Sequence, residues 1–92
     1  MIQRFRHKGL ERLFTRGDTS GFDPQLAAKL RRMLILLARG TDPSALNMPG
    51  YRLHPLEGDR QGQWSAAVSR NWRLIFEFEG EHATNVDLVD YH

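Results

Sequence analysis

The hydrophobic positions change period once along the chain. From residue 7 to about residue 38 they recur at helical spacing, and from residue 51 onward they alternate. Leu10, Leu13 and Phe14 stand at i, i+3 and i+4 within residues 7–16, which predicts a short amphipathic helix. Gly17-Asp18-Thr19-Ser20-Gly21 closes it as a turn or loop. Asp23 before Pro24 pairs an N-cap residue with proline at the first helical position, so a second helix is expected from Pro24 to about Ala38. Its apolar stripe is Leu26, Leu30, Met33, Leu34 and Leu37, with Gly40 as the stop. Lys29, Arg31, Arg32 and Arg39 fall mostly off that stripe and read as a solvated face.

The second half reads as strands. Residues 41–49, with Asp42-Pro43 and Met48-Pro49-Gly50, form a loop with one helical turn after Asp42. Tyr51-Arg52-Leu53-His54 is a short strand, and Pro55 ends it or marks an edge. Glu57 to Gly62 is a polar loop. Trp64, Ala66 and Val68 then alternate with polar and small residues up to a turn at Arg70-Asn71. Trp72, Leu74, Phe76 and Phe78 alternate with Arg73, Ile75, Glu77 and Glu79. After Gly80-Glu81 a last strand spans 82–89, with Thr84, Val86 and Leu88 expected on one face. Met1 to Phe5 is strand-compatible through Ile2 and Phe5. The sum is an α+β domain, two N-terminal helices on a mostly antiparallel twisted sheet in the order β-α-α-β-β-β-β. Residues 1–92 read as one domain, without repeat or linker.

Composition removes several classes of function. With no cysteine there is no disulfide framework, thiol nucleophile or thiolate metal site, which fits a reducing cytoplasm. No apolar run approaches the ~18 residues a membrane span needs, and the charged start is not a signal peptide. Charge is more telling than its total of +2. Residues 1–73 carry all 13 basic residues and six acidic ones, a net of +7, while residues 74–92 carry five acids and no Lys or Arg, a net of −5. Apart from Lys8 and Lys29 the basic residues are all arginine, whose planar fork suits phosphate. A nucleic-acid partner and ordinary surface solubility are about equally compatible with that balance.

Candidate chemistry lies on the strands. The chain ends Asp90-Tyr91-His92, an acid, a phenol and an imidazole directly after an apolar strand. His54 alone is more often structural, and Arg73 alone is more often a salt-bridge partner, here to Glu77 or Asp87. Antiparallel pairing can nonetheless bring His54, Arg73 and the terminal residues to one groove. Such a set has what RNA cleavage requires: a base for the ribose 2′-hydroxyl, a cation for the phosphorane and an acid for the departing 5′-oxygen. The four histidines show no H-x-x-x-H pair, and Asp87, Asp90 and His92 form only a weak carboxylate set, so no metal is expected. No Walker, dinucleotide or nucleophile-elbow motif is present, so no cofactor is expected. Gly58 and Gly62 offer only a weak phosphate-loop signal.

Several segments together resemble one family. Ile2-Gln-Arg-Phe-Arg-His-Lys-Gly-Leu10, Arg52-Leu-His-Pro-Leu-Glu-Gly-Asp-Arg60, Gln63-Trp-Ser65, Asn71-Trp-Arg-Leu-Ile-Phe-Glu-Phe78 and Asp90-Tyr-His92 are similar, in order and over nearly the whole chain, to HigB-family toxins of the RelE-like superfamily. The resemblance implies a cytoplasmic bacterial endoribonuclease that cuts mRNA in the ribosomal A site, without metal, through attack of the 2′-hydroxyl on its own 3′-phosphate. It implies a HigA-like helix-turn-helix antitoxin as partner, with operator DNA met only through that complex. Its active-site matches are His54, Arg73, Asp90, Tyr91 and His92. His54 and His92 would move protons, Asp90 sharing one of those roles, while Arg73 would hold the phosphate and Tyr91 a base. Arg52, Arg60 and Arg70 are the accompanying phosphate-binding candidates. Where the family usually has lysine this chain has Glu57. A carboxylate beside a phosphate is repelled by about 1 kcal/mol at ~4 Å even in water. Arg52 or Arg60 would then supply the cation. The alternatives are a catalytically weak RNA-binding or co-repressor module, and a domain that only docks an acidic antitoxin segment.

Overall fold

A computed structural model describes residues 1–91. Helix α1 spans Lys8–Arg16 and helix α2 spans Pro24–Arg39. Strands follow at His54–Pro55 (β1), Trp64–Ala67 (β2), Trp72–Glu79 (β3) and His82–Asp90 (β4). Single 3-10 turns stand at Pro43–Leu46 and Gly58–Arg60.

Each helix begins and ends for a local reason. The His7 imidazole caps α1, its Nδ1 accepting from the Leu10 amide at 3.1 Å. Gly17 ends α1 at φ 67°, a left-handed conformation that lets its N–H return to the Arg12 and Leu13 carbonyls. Asp23 caps α2 by accepting from the Leu26 amide at 2.9 Å, with Pro24 at the first position as the sequence predicts. Asp42 likewise starts the expected single turn at Pro43.

The sheet order is β1-β2-β3-β4, every pair antiparallel. The N-terminal segment adds to the β4 edge through single parallel bridges, Ile2 to Ala83 and Phe5 to Val86. The expected β-α-α-β-β-β-β order therefore holds, its first β being these two bridges. Both helices cover one face of the sheet. Leu10 and Leu13 of α1 and Ala27, Leu30, Met33, Leu34 and Leu37 of α2 pack with Ala66, Val68, Leu74, Phe76, Ala83, Val86 and Leu88. Each such large side chain, fully removed from water, stabilises the fold by about 1.5–3 kcal/mol.

Three sequence expectations shift. Ala27 is buried at the head of the α2 stripe, whereas Leu26 is only half-buried, because the stripe drifts around the helix at 3.6 residues per turn. The strand expected at Tyr51–His54 pairs only at His54–Pro55. Arg52 sits at φ 50°, which interrupts any extended run through it. Finally, Thr84 does not share a face with Val86 and Leu88. Pairing runs Ile75↔Asp87 and then Glu77↔Thr84, so two residues of β4, Asn85 and Val86, oppose Phe76 alone. This β-bulge, with Asn85 at φ 52°, reverses the alternation. Ala83 takes the core position and Thr84 turns to the open face beside Glu77.

Candidate active site

The face of the sheet away from the helices gathers most of the candidate residues. Pairing sets His54 opposite Ser65, Ser65 opposite Ile75, Ala67 opposite Arg73, and Arg73 opposite Val89. Side chains at paired positions project to the same side, so His54 and Arg73 share the open face, as β alternation requires. A cleft of about 510 Å³ lies there. Its floor is the apolar Leu56, Ile75 and Val89 with Ser65, and its rim is Arg52, His54, Arg60, Arg73, Asp90 and Tyr91.

Three of the rim residues, His54, Arg73 and Tyr91, are held by local contacts. The His54 Nδ1 lies 2.9 Å from the Arg52 carbonyl oxygen. A carbonyl only accepts, so Nδ1 carries a proton, and in the neutral form of the ring Nε2 is the acceptor. Arg52 is in the left-handed region, a conformation that costs an arginine on the order of 1 kcal/mol. That turn brings its carbonyl to the imidazole while the Tyr51 carbonyl accepts from Ala67 N at 2.6 Å.

Arg73 is anchored from behind. Its Nη1 donates to the carbonyls of Ser69 at 2.8 Å, Trp72 at 3.1 Å and, more weakly, Arg70 at 3.4 Å. The guanidinium carbon lies 4.8 Å from the centre of the Tyr91 ring, a cation–π contact. The salt bridge to Glu77 or Asp87 that the sequence allowed does not form; Nη1 meets these backbone carbonyls instead. With one nitrogen fixed in this way, the rest of the fork is oriented for an anion.

Tyr91 is 61% exposed, and its amide donates to the Asn71 carbonyl at 2.6 Å, which ties the end of β4 to the turn before β3. Asp90 pairs with Trp72, so it is one step out of phase with Arg73, yet it still lines the rim. His92 lies outside the described residues. Arg70 lines not this cleft but an adjoining depression of about 320 Å³, which it shares with Lys29, Arg52 and Arg73. Glu57 lines a separate depression with Pro55 and Trp64, whereas Arg60 lines the cleft itself.

Ser65 and Ile75, 3% and 6% exposed, are site residues that their types alone do not single out. The signal for Ile75 is the alternation that places it on the face of Arg73, and pairing with it then brings in Ser65. Among the described residues no three of His, Asp and Glu gather as a metal-ligand set. No helix of the described residues is long and apolar enough to cross a membrane.

Known proteins share both sequence and architecture. The chain is 42% identical over 92 residues, the full length of both, to Endoribonuclease HigB of Proteus vulgaris. Among solved structures, the YoeB–YefM complex from Staphylococcus aureus superposes with a TM-score of 0.67 at 15% identity, covering 100% of this chain and 95% of that one. A point mutant of YafQ from E. coli gives 0.63 at 20% identity, covering 98% and 91%. At these identities the two structures speak for the fold. Residues 3–92 match the family model described as the RelE-like toxin of the type II toxin–antitoxin system HigB. Helices on one face, an open basic cleft on the other and a match over almost every residue thus make this chain a member of the HigB-like family of RelE-like toxins.

Proposed function

We propose that this chain is an endoribonuclease that cuts mRNA in the ribosomal A site and thereby stops translation. The observation that carries the reading is the convergence of His54, Arg73 and Tyr91 on one cleft of the open sheet face. The curated relative from Proteus vulgaris bears the name endoribonuclease, which supports the reaction class.

The chemistry follows from the groups. In its neutral form His54 takes the proton of a ribose 2′-hydroxyl through Nε2. The freed oxygen attacks the adjacent phosphorus, the P–O5′ bond breaks, and the products are a 2′,3′-cyclic phosphate and a 5′-hydroxyl. Arg73, held at one nitrogen, meets the charge that grows on the non-bridging oxygens. Arg52 and Arg60 add cations around it. Tyr91 stacks on a base and steadies the Arg73 plane. The departing 5′-oxygen needs a proton, and Asp90 and His92 at the chain terminus are the candidates for supplying it. No step draws on a metal.

The cleft is open, and an RNA strand laid on it alone would be poorly positioned. The ribosome holds its mRNA in a defined path, which converts the encounter into an effectively unimolecular step. The toxin's partner is a HigA-like helix-turn-helix antitoxin, through which alone it meets operator DNA. Its working compartment is the cytoplasm.

The test is induction of the chain alone in a bacterium, with His54→Ala and Arg73→Ala as controls, followed by mapping of mRNA 5′ ends. Growth arrest with in-frame cuts that both variants abolish supports the proposal. Arrest without cuts, or arrest undiminished in both variants, rejects it. Cutting of ribosome-bound mRNA that disappears on adding chelator, with the ribosomes intact, rejects the metal-free step.

A further inference from the structure

The floor of the cleft is apolar except at one place. Leu56, Ile75 and Val89 line it, and Ser65 stands among them. Ser65 is 3% exposed, and its hydroxyl meets no hydrogen-bond partner among the described residues. A buried polar group without a hydrogen bond is unfavourable and rare in a folded domain. The side-chain atoms of the described residues that are both unpartnered and sealed from solvent lie elsewhere, at Gln63 Oε1 and His82 Nδ1. The Ser65 hydroxyl therefore lacks a partner yet opens onto the cleft that it lines.

The fold gives no reason of its own for a hydroxyl here. β2 is an interior strand, and a β-branched apolar side chain would suit a covered position on it better than serine. What serine brings is a small size and a donor. Pairing sets it directly opposite His54 on one side and Ile75 on the other. Arg73 stands two residues before Ile75 on the same face, which makes it a diagonal neighbour of Ser65. Opposed Cβ atoms lie about 4.5–5.5 Å apart and diagonal ones up to about 7–8 Å, spans that one phosphodiester bridges. Ser65 thus adjoins both the imidazole that takes the 2′-hydroxyl proton and the guanidinium that meets the phosphate.

We infer that Ser65 is a further catalytic residue, whose hydroxyl donates to one non-bridging oxygen of the scissile phosphate while Arg73 meets the other. The inference rests on the RNA-cleaving reading. The hydroxyl keeps its hydrogen throughout, since the 2′-proton passes to His54 and the leaving oxygen draws its proton from the chain terminus. The bond strengthens as charge grows on the oxygen that it meets. Beside Leu56 and Ile75 a bond to a charged oxygen is stronger than it would be in water.

Ser65→Ala separates this role from a structural one. The alanine removes an unpartnered hydroxyl, so Tm should stay the same or rise. On mRNA-programmed ribosomes kcat should fall about 10- to 100-fold with KM nearly unchanged, because the lost bond is strongest in the transition state. An mRNA with a single phosphorothioate diastereomer at the cut site places sulfur, a poor acceptor, at one non-bridging oxygen. One diastereomer should slow the parent about tenfold or more and Ser65→Ala less than about threefold. A fall in Tm alongside the loss of cutting, an unchanged kcat, or sulfur effects that persist for both diastereomers in Ser65→Ala overturn the inference. A parent that cuts nothing refutes the RNA-cleaving reading instead, and a titration then decides the role of Ser65. Isotope-labelled parent and Ser65→Ala are titrated with adenosine and vanadate, which form a cyclic five-coordinate ester resembling the phosphorane. The Ser65 and Ile75 amide signals of the parent should shift, and Ser65→Ala should need about fivefold more ester or higher. Equal affinity, or no binding by that parent, overturns the inference.

Discussion

Replacing Arg73 by lysine separates two tasks that the arginine performs at once. Its Nη1 ties down the turn between β2 and β3 through the Ser69 and Trp72 carbonyls, at 2.8 and 3.1 Å. Its remaining nitrogens and its plane face the cleft and Tyr91. Two net hydrogen bonds contribute about 0.5–1.5 kcal/mol each, and a partly exposed cation–π contact adds about 0.5–1 kcal/mol. Arg73→Ala should therefore lower stability by about 2–3 kcal/mol. For a domain of this size each 1 kcal/mol lowers Tm by roughly 4–8 °C. Lysine keeps the charge but has a single nitrogen, which either ties the turn or meets the phosphate. The loss of stability in Arg73→Lys should stay near about 1 kcal/mol, because the nitrogen will settle in the turn. Cleavage should nonetheless fall by about 10²-fold, the usual effect of losing one positioned donor to a developing charge. Thermal unfolding by circular dichroism and initial rates on mRNA-programmed ribosomes measure the two quantities separately. A lysine variant that cuts within threefold of the parent would show that the fork is not needed. A lysine variant as unstable as the alanine variant would show that the carbonyl anchor, not the fork, is what lysine fails to replace.

Other outcomes follow from particular contacts. Arg60 lines the cleft and Glu57 a separate depression, so Arg60→Ala should reduce cleavage about tenfold, more than Glu57→Lys raises it. A larger gain from Glu57→Lys in the same ribosome assay would put position 57 at the phosphate. A Cβ at Gly40 would overlap the Ala45 side chain although its φ of −78° suits any residue, so Gly40→Ala should cost about 1–3 kcal/mol by urea unfolding. An unchanged midpoint would mean the 3-10 turn simply moves away. The Ser44 hydroxyl and amide hold the Asp42 carboxyl below its ordinary pKa of 3.8, and the Ser20 amide and hydroxyl do the same for Asp18. A lowered folded pKa adds stability that is present above the ordinary value and lost as pH falls through the folded one. Thermal stability should therefore drop below about pH 4, and Asp42→Asn should flatten part of that drop. An unaltered profile in Asp42→Asn would assign the acid sensitivity elsewhere.

Much of the site is legible in the sequence because its residues are marked by type and by alternation. His54, Arg73 and Tyr91 stand out in that way, and the sheet brings all three to one cleft. The adjoining hollow on the same face, which shares Arg60 and Ile75 with the cleft, is not legible. Gln63, Asn85 and Asp87 are ordinary polar residues in an amphipathic pattern. Only the bulge and the cross-strand pairing gather them, since a one-residue change of phase moves a side chain to the opposite face.

The local sequence determined the two helices, the Asp23 cap and the meander of strands, though not the His7 cap of α1. Capping and periodicity act over a few residues: Asp23-Pro24 and the Leu30-to-Leu37 stripe need no distant partner to be recognised. Strand phase is different in kind. Thr84 reads as core by alternation and lies on the open face, because the phase is set by pairing with β3 and not by β4 itself. The same holds for function. The sequence supplied an imidazole, an arginine and a phenol. Only tertiary structure decided that the Arg52 carbonyl fixes the His54 tautomer, that backbone carbonyls anchor Arg73, and that Glu57 lines a different depression from the cleft Arg60 lines. These depend on contacts whose direction is set by chain segments brought together in folding, and residue order alone does not encode that direction in any local pattern.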